Sequence, residues 1–138
     1  LDGDDKNDLL VSTSGAHPNT GEVIVCSGAD GSPIDIIRGD DLGTRFGLCV
    51  TAIDDLNNDG YQDIVITATS VNDNSGSFHI YSGSDRALLG SYYHTANGVF
   101  LGSSLITEDV DGDGTQEVIV GAPGYDDGAG RVVVFSID

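Results

Sequence analysis

Two stretches of this chain have the composition of a cage for a cation. One runs Asp55-Leu56-Asn57-Asn58-Asp59-Gly60-Tyr61-Gln62-Asp63, the other Asp109-Val110-Asp111-Gly112-Asp113-Gly114-Thr115-Gln116-Glu117. Both follow the form D-x-[DN]-x-D-G-x-x-[DE]. Side-chain oxygens stand at positions 1, 3, 5 and 9: Asp55, Asn57, Asp59 and Asp63 in one loop, Asp109, Asp111, Asp113 and Glu117 in the other. Position 7, Tyr61 or Thr115, offers its carbonyl. A hard cation takes roughly six to eight oxygens at about 2.3–2.6 Å, and alternate donors on a tightly wound loop can wrap it. Glycine at position 6 admits the positive φ of a sharp turn. Asp, Asn and Gly are also ordinary turn residues. A turn, however, does not require this many oxygens at alternate positions in two copies, and carboxylates so close repel one another until a cation intervenes. Ca²⁺ is preferred over Mg²⁺, which binds few carboxylates and keeps its waters. The loop at Asp109, with four carboxylates against three plus Asn57, is expected to bind the more tightly.

A partial copy opens the chain. Leu1 to Asp8 fill positions 2 to 9, so Asp2, Asp4 and Asp8 supply side chains and Lys6 a carbonyl, while Asp5 replaces the glycine. This third, partial site is expected to be weak, or to borrow a donor from an upstream residue or another chain.

Other chemistry is sparse. There is no G-x-S-x-G elbow, H-E-x-x-H pair or phosphate-binding G-x-x-x-x-G-K-[ST], so no catalytic residue is assigned. His17, His79 and His94 share no ligand spacing, and His79 reads as a strand residue. Cys26 and Cys49 permit one disulfide, although Cys26 occupies a position filled by Tyr81 and Phe135 in the other copies, which reads as a small core residue. Arg38-Gly39-Asp40 spells an adhesion tripeptide, but three residues match by chance too readily to carry a function.

The elements that position the loops come from an internal repeat. Position 9 falls at Asp8, Asp63 and Glu117, steps of 55 and 54. Thirteen residues later comes a glycine (Gly21, Gly76, Gly130), and five further on Cys26-Ser27, Tyr81-Ser82 and Phe135-Ser136. Phe46-Gly47 has its counterpart in Phe100-Leu101-Gly102, read with one residue inserted between Phe and Gly. The best copy predicts strands at Gly47–Ile53, Ile64–Thr69, Ser77–Ser82 and Ala87–Tyr92. Four antiparallel strands per repeat describe an all-β protein made of β-propeller blades, ahead of a solenoid or two-sheet sandwich. The chain then divides into a partial blade at 1–45 lacking its first strand, a complete blade at 46–99 and a partial blade at 100–138 lacking its last. About two and a half blades cannot close a ring. The open edges are expected to pair with neighbouring blades of a larger propeller or with other copies of the chain.

Composition excludes several partners. Five Lys and Arg against 23 Asp and Glu give a net charge of −18 over 138 residues, which leaves no cationic footprint for nucleic acid or an anionic membrane. The apolar runs are too short to insert into a bilayer. A first residue of Leu points to processing or excision from something longer.

Three calcium families share the loop pattern. An EF-hand would place Glu at position 12, where this chain has Ile66 and Val120, and dockerins pair the loop with helices, which the sequence does not show. With Phe46-Gly47, Gly121-Ala122-Pro123 and the two loops, the chain resembles the FG-GAP repeat of integrin alpha-subunit propellers and many bacterial extracellular proteins. It departs from that pattern where Gly-Ala-Pro is replaced by Ser12-Thr13-Ser14 and Thr67-Ala68-Thr69. The resemblance implies a propeller blade with calcium in the loop joining its first two strands, an extracellular or cell-surface setting, and a non-enzymatic adhesion or interaction role toward a protein or glycan. Two alternatives are the propeller portion of a secreted polysaccharide- or lipid-acting enzyme and a self-assembling filament subunit.

Overall fold

The computed structural model describes residues 1–4, 6–15 and 20–137; Asp5 and His17, read above, lie outside the described residues. Among the described residues, strands form three antiparallel sheets. The first holds β1 (Leu9–Thr13), β2 (Glu22–Cys26) and β3 (Pro33–Arg38). The second holds β4 (Phe46–Ile53), β5 (Asp63–Ala68), β6 (Ser77–Tyr81) and β7 (Leu88–Tyr93). The third holds β8 (Ser104–Glu108), β9 (Glu117–Ala122) and β10 (Arg131–Phe135). Each is a meander in chain order, so every sheet is a propeller blade and the three do not close a ring. The predicted middle-blade strands hold to within a residue or so at either end. A short helical turn, α1 (Tyr125–Gly128), follows β9.

The middle blade is buried from both sides. All six residues of β5 are buried. Ile64, Ile66 and Ala68 pack with Val23, Val25, Ile37 and Phe46 of the first junction, while Val65 joins Phe78, Leu101, Val118 and Val120 in the second. The alternation that puts successive side chains on opposite faces thus feeds two cores from one strand. In β1 the equivalents of Ile64 and Ile66, Leu9 and Val11, are 55% and 45% exposed because no sheet faces them.

The repeat landmarks mark where blades touch. Gly21 and Gly76 have φ +84° and +87°, and a Cβ on them would lie 2.0 Å from Phe46 O and 2.2 Å from Leu101 O. Those contacts also correct the expected insertion between Phe and Gly. Leu101, fully buried, occupies the place of Phe46, and Phe100, with φ 55°, occupies that of Arg45, with φ 58°. Leu48 N–H donates to Arg45 O and Ser103 N–H to Phe100 O in the same way. The register is unbroken, and an exposed Phe precedes the residue that fills the core.

A left-handed turn joins the middle blade to the next. Asn72, Asp73 and Asn74 have φ of 45°, 58° and 63°, a region that Asn and Asp tolerate better than most residues. The carbonyls of Asp73, Asn74 and Ser75 accept the N–H groups of Gly98, Phe100 and Leu101. Asp126, Asp127 and Gly128 repeat the turn in the third blade.

His79 is buried in β6 as a sheet residue, its Nε2 3.0 Å from Ser77 Oγ and its Nδ1 2.9 Å from Ser91 Oγ. Cys26 and Cys49 are both free thiols; the disulfide permitted by the cysteine count is not formed.

Gly76→Ala forces a methyl into the Leu101 backbone and is expected to lower unfolding stability by roughly 3 kcal/mol or more. Gly31→Ala, also at positive φ but with nothing within 4 Å, should cost only about 1 kcal/mol. Urea unfolding of both variants checks the difference. Burial pushes the His79 imidazole below its ordinary value, against an opposing effect from Asp40. The unfolded chain therefore binds the extra proton first, and this contribution to stability is present above about pH 6.5 and lost as pH falls from there toward the folded value. Between pH 7.5 and 5.5 the melting temperature of the protein should fall further than that of its His79→Gln variant.

Candidate metal centre

Each acidic loop lies at the start of a blade's second strand, and its last residue is held from two sides. Asp63, fully buried, accepts Leu56 N–H on Oδ2 and Gly83 N–H on Oδ1, each at 2.9 Å. Asp8 repeats the arrangement, with Leu1 N 3.0 Å from Oδ2 and Gly28 N–H donating to Oδ1 at 3.0 Å. Such a carboxylate ties its loop to the turn after the third strand. A Cβ on Gly83 would lie 1.8 Å from Gln62 O, and one on Gly28 1.9 Å from Asn7 O, so only glycine lets that turn approach.

Inside the loops the backbone winds around the earlier carboxylates. In the middle blade, Asp55 accepts Asp59 N–H and Gly60 N–H, Asn57 Oδ1 accepts Asp59 N–H, and Asp59 Oδ1 accepts Tyr61 N–H. In the third, Asp109 accepts Gly112 N–H and Gly114 N–H, Asp111 accepts Asp113 N–H, and Asp113 accepts Thr115 N–H. In the first, Asp2 accepts Asp4 N–H and Asp4 accepts Lys6 N–H, while Lys6 Nζ lies 3.9 Å from Asp4 Oδ2.

Oxygens of Asp55, Asp59 and Asp63 lie within 4.8 Å of one another, as do those of Asp109, Asp111 and Glu117, and those of Asp2, Asp4 and Asp8. Ligands about 2.4 Å from a common ion are at most about 4.8 Å apart, so each group could hold a metal. Asp113, assigned to the third group from the sequence, has no oxygen among those within 4.8 Å of one another in this structure. Its middle-blade counterpart Asp59 is drawn inward by donors the sequence reading missed: Ser82 Oγ at 2.8 Å and Ser84 Oγ at 2.7 Å, besides Asn57 Nδ2 at 2.8 Å. Led by Ser84 and opposed by desolvation, these donors hold the Asp59 carboxyl down at about 2.

The FG-GAP repeat family matches residues 50–81 and 101–135, each beginning in or just before a blade's first strand and ending in its third. The chain carries FG-GAP repeats. It is 30% identical to integrin alpha-4 of Xenopus laevis over 88% of its own length and 13% of that protein's. Against integrin alpha-V of Gallus gallus the identity is 30%, over 91% of this chain and 14% of the relative. Phosphatidylinositol-glycan-specific phospholipase D of Mus musculus is 31% identical over 89% of the chain and 17% of that protein. The chain thus spans a small part of the length of each relative.

The FG-GAP loop of the third blade differs from its neighbours in one respect that bears on an ion. Glu117 is 3% exposed; its Oε2 accepts Val110 N–H, and its Oε1 is buried without a hydrogen-bond partner among the described residues. The donor occupied by Gly83 in the middle blade corresponds to Ile137 here. A buried carboxylate oxygen with no donor is costly, and a cation among these oxygens would satisfy it.

Asp63→Asn turns one acceptor into a donor facing a backbone N–H. It is expected to destabilise the protein by about 2–3 kcal/mol even in chelator, whereas Ser84→Ala should change metal-free stability by well under half of that. Urea titrations in excess chelator separate the two.

Proposed function

We propose that this FG-GAP segment is a calcium-stabilised interaction module of an extracellular or cell-surface protein, contributing to recognition of a protein or glycan and carrying no catalysis of its own. The observation that supports it most is the convergence of three carboxylate groups at the same place in three blades, one containing a buried oxygen with no partner among the described residues. Asp55, Asn57, Asp59 and Asp63 would hold one ion, and Asp109, Asp111, Asp113 and Glu117 another, with the carbonyls of Tyr61 and Thr115 available. Asp2, Asp4 and Asp8 form the weaker third group, where the Lys6 ammonium competes for Asp4. Bound Ca²⁺ would neutralise like charges that otherwise oppose the loop's closure. The chain's own residues fix the loop beforehand by the backbone donors described above. Integrin relatives favour an adhesion role by analogy of fold. The phospholipase relative favours a second reading, the propeller portion of a lipid-acting enzyme, in which the module would serve the same scaffolding purpose.

Because a ligand that binds only the folded state stabilises it by mass action, calcium at about a hundred times its dissociation constant should stabilise the protein by about 2.7 kcal/mol per site. Excess chelator should reverse the rise in melting temperature. An unchanged midpoint in low-salt buffer would exclude calcium from the loops. Asp59→Ala should leave the tighter residual site and Asp111→Ala the weaker one, as measured by calcium titration.

A further inference from the structure

Between the first two blades lies a cavity of about 90 Å³ that no residue of the acidic loops lines. Its walls include the rings of Phe46, His79, Tyr81 and Tyr93, and the β3–β4 connection contributes Asp40 and Asp41. Phe46 and Tyr81 have centroids 6.1 Å apart with planes at 89°, and His79 and Tyr93 are 5.4 Å apart at 85°. Phe46 and His79 stand 5.9 Å apart at 55°. Phe46 with Tyr81 and His79 with Tyr93 meet near right angles, edge to face, so rings in more than one plane border the cavity. A cation about 4.5 Å above each of two perpendicular faces sees centroids about 6.4 Å apart, within reach of both quadrupoles.

The charge and the hydrogen bonding of the walls narrow the ligand. No Lys or Arg lines the cavity, while two carboxylates do. Both ring nitrogens of His79 are engaged by serine hydroxyls, so the imidazole has no free nitrogen to offer a ligand. Burial keeps this histidine neutral at pH 7 and, aided by the Asp40 charge, pushes the Tyr81 phenol up to about 12. A bare metal ion would need a shell of oxygens, which these rings do not supply. The volume is well below the roughly 300 Å³ of drug-sized sites and suits a single head group. The repeat provides an internal control. One period on, the places of Phe46, His79 and Tyr81 are taken by Leu101, Val133 and Phe135, and those of Asp40 and Asp41 by Thr95 and Ala96. The aromatic lining is therefore peculiar to this junction and is not a by-product of blade packing.

We propose that this cavity binds the methylated ammonium head of a small organic cation. Rings supply attraction without hydrogen bonds, and Asp40 and Asp41 supply the counter-charge. The site is independent of the metal loops.

The test is an NMR titration of the calcium-loaded protein with choline, with trimethyl-lysine as a second carrier of the same head, and with 3,3-dimethylbutan-1-ol as the uncharged isostere of choline. Saturable shifts of the His79 and Tyr93 ring resonances at millimolar concentration of either cation, with the isostere about tenfold weaker or worse, would support the site. Tyr93 is half exposed, so Tyr93→Leu is expected to fold. It should weaken binding about fivefold, Tyr93→Phe should restore it, and Asp40→Asn should weaken choline without affecting the isostere. No saturable shift with either cation up to about 100 mM, or equal binding of the uncharged isostere, would overturn the proposal.

Discussion

A sheet of three or four strands buries nothing until another sheet lies on it, and that constraint organises the whole molecule. Among the described residues, the middle blade alone has a neighbour on each side, and β5 alone of the strands is buried along its entire length. The same alternation of apolar residues gives a core in one place and exposed Leu9, Val11, Val132 and Val134 in another. Stability here belongs to the junctions between blades, as in other repeat architectures in which each unit touches only its neighbours. The period-marking glycines serve the same end. They allow one backbone to cross another at distances no side chain permits.

The acidic loops depend on this packing and also reinforce it. A position-nine carboxylate fixes each of the first two loops to the turn that follows the third strand, and in the middle blade two serines from that turn reach a second carboxylate. Arg86 extends the connection across the junction: its side chain reaches Leu1 O at 3.4 Å and lies 3.8 Å from Asp35 Oδ2. The first loop, the first blade and the second loop are thereby mechanically connected. Charge that would otherwise drive the segments apart is concentrated where backbone donors hold it.

Much of this was legible in the sequence because it is periodic. The loops, the strands of the middle blade and the missing partners of the outer blades follow from residue types at fixed spacing. What escaped was contact between residues far apart in the chain. Ser82 and Ser84 reach Asp59 from more than twenty positions away, and no local pattern marks them as its donors. Asp113 looks like Asp59 in the sequence, but the place of Ser84 falls on Asp138 rather than on a serine. The Phe100–Leu101 pair misled for a different reason. The family's phenylalanine stands for a buried volume, and leucine fills it here while a nearby Phe keeps the appearance of the motif. The aromatic lining of the cavity was hidden because its walls come from β4, β6, β7 and a connection.

The left-handed turn after β5 imposes a direction on assembly. Its carbonyl acceptors, Asp73 to Ser75, precede in the chain the N–H donors at Gly98 to Leu101 that they receive. In a nascent chain the acceptors are therefore synthesised before the segment that docks on them. Domains form in the order of synthesis when early parts fold as units, and here the order is written at the level of individual backbone groups. The middle blade thus carries the acceptors on which the start of the third blade docks.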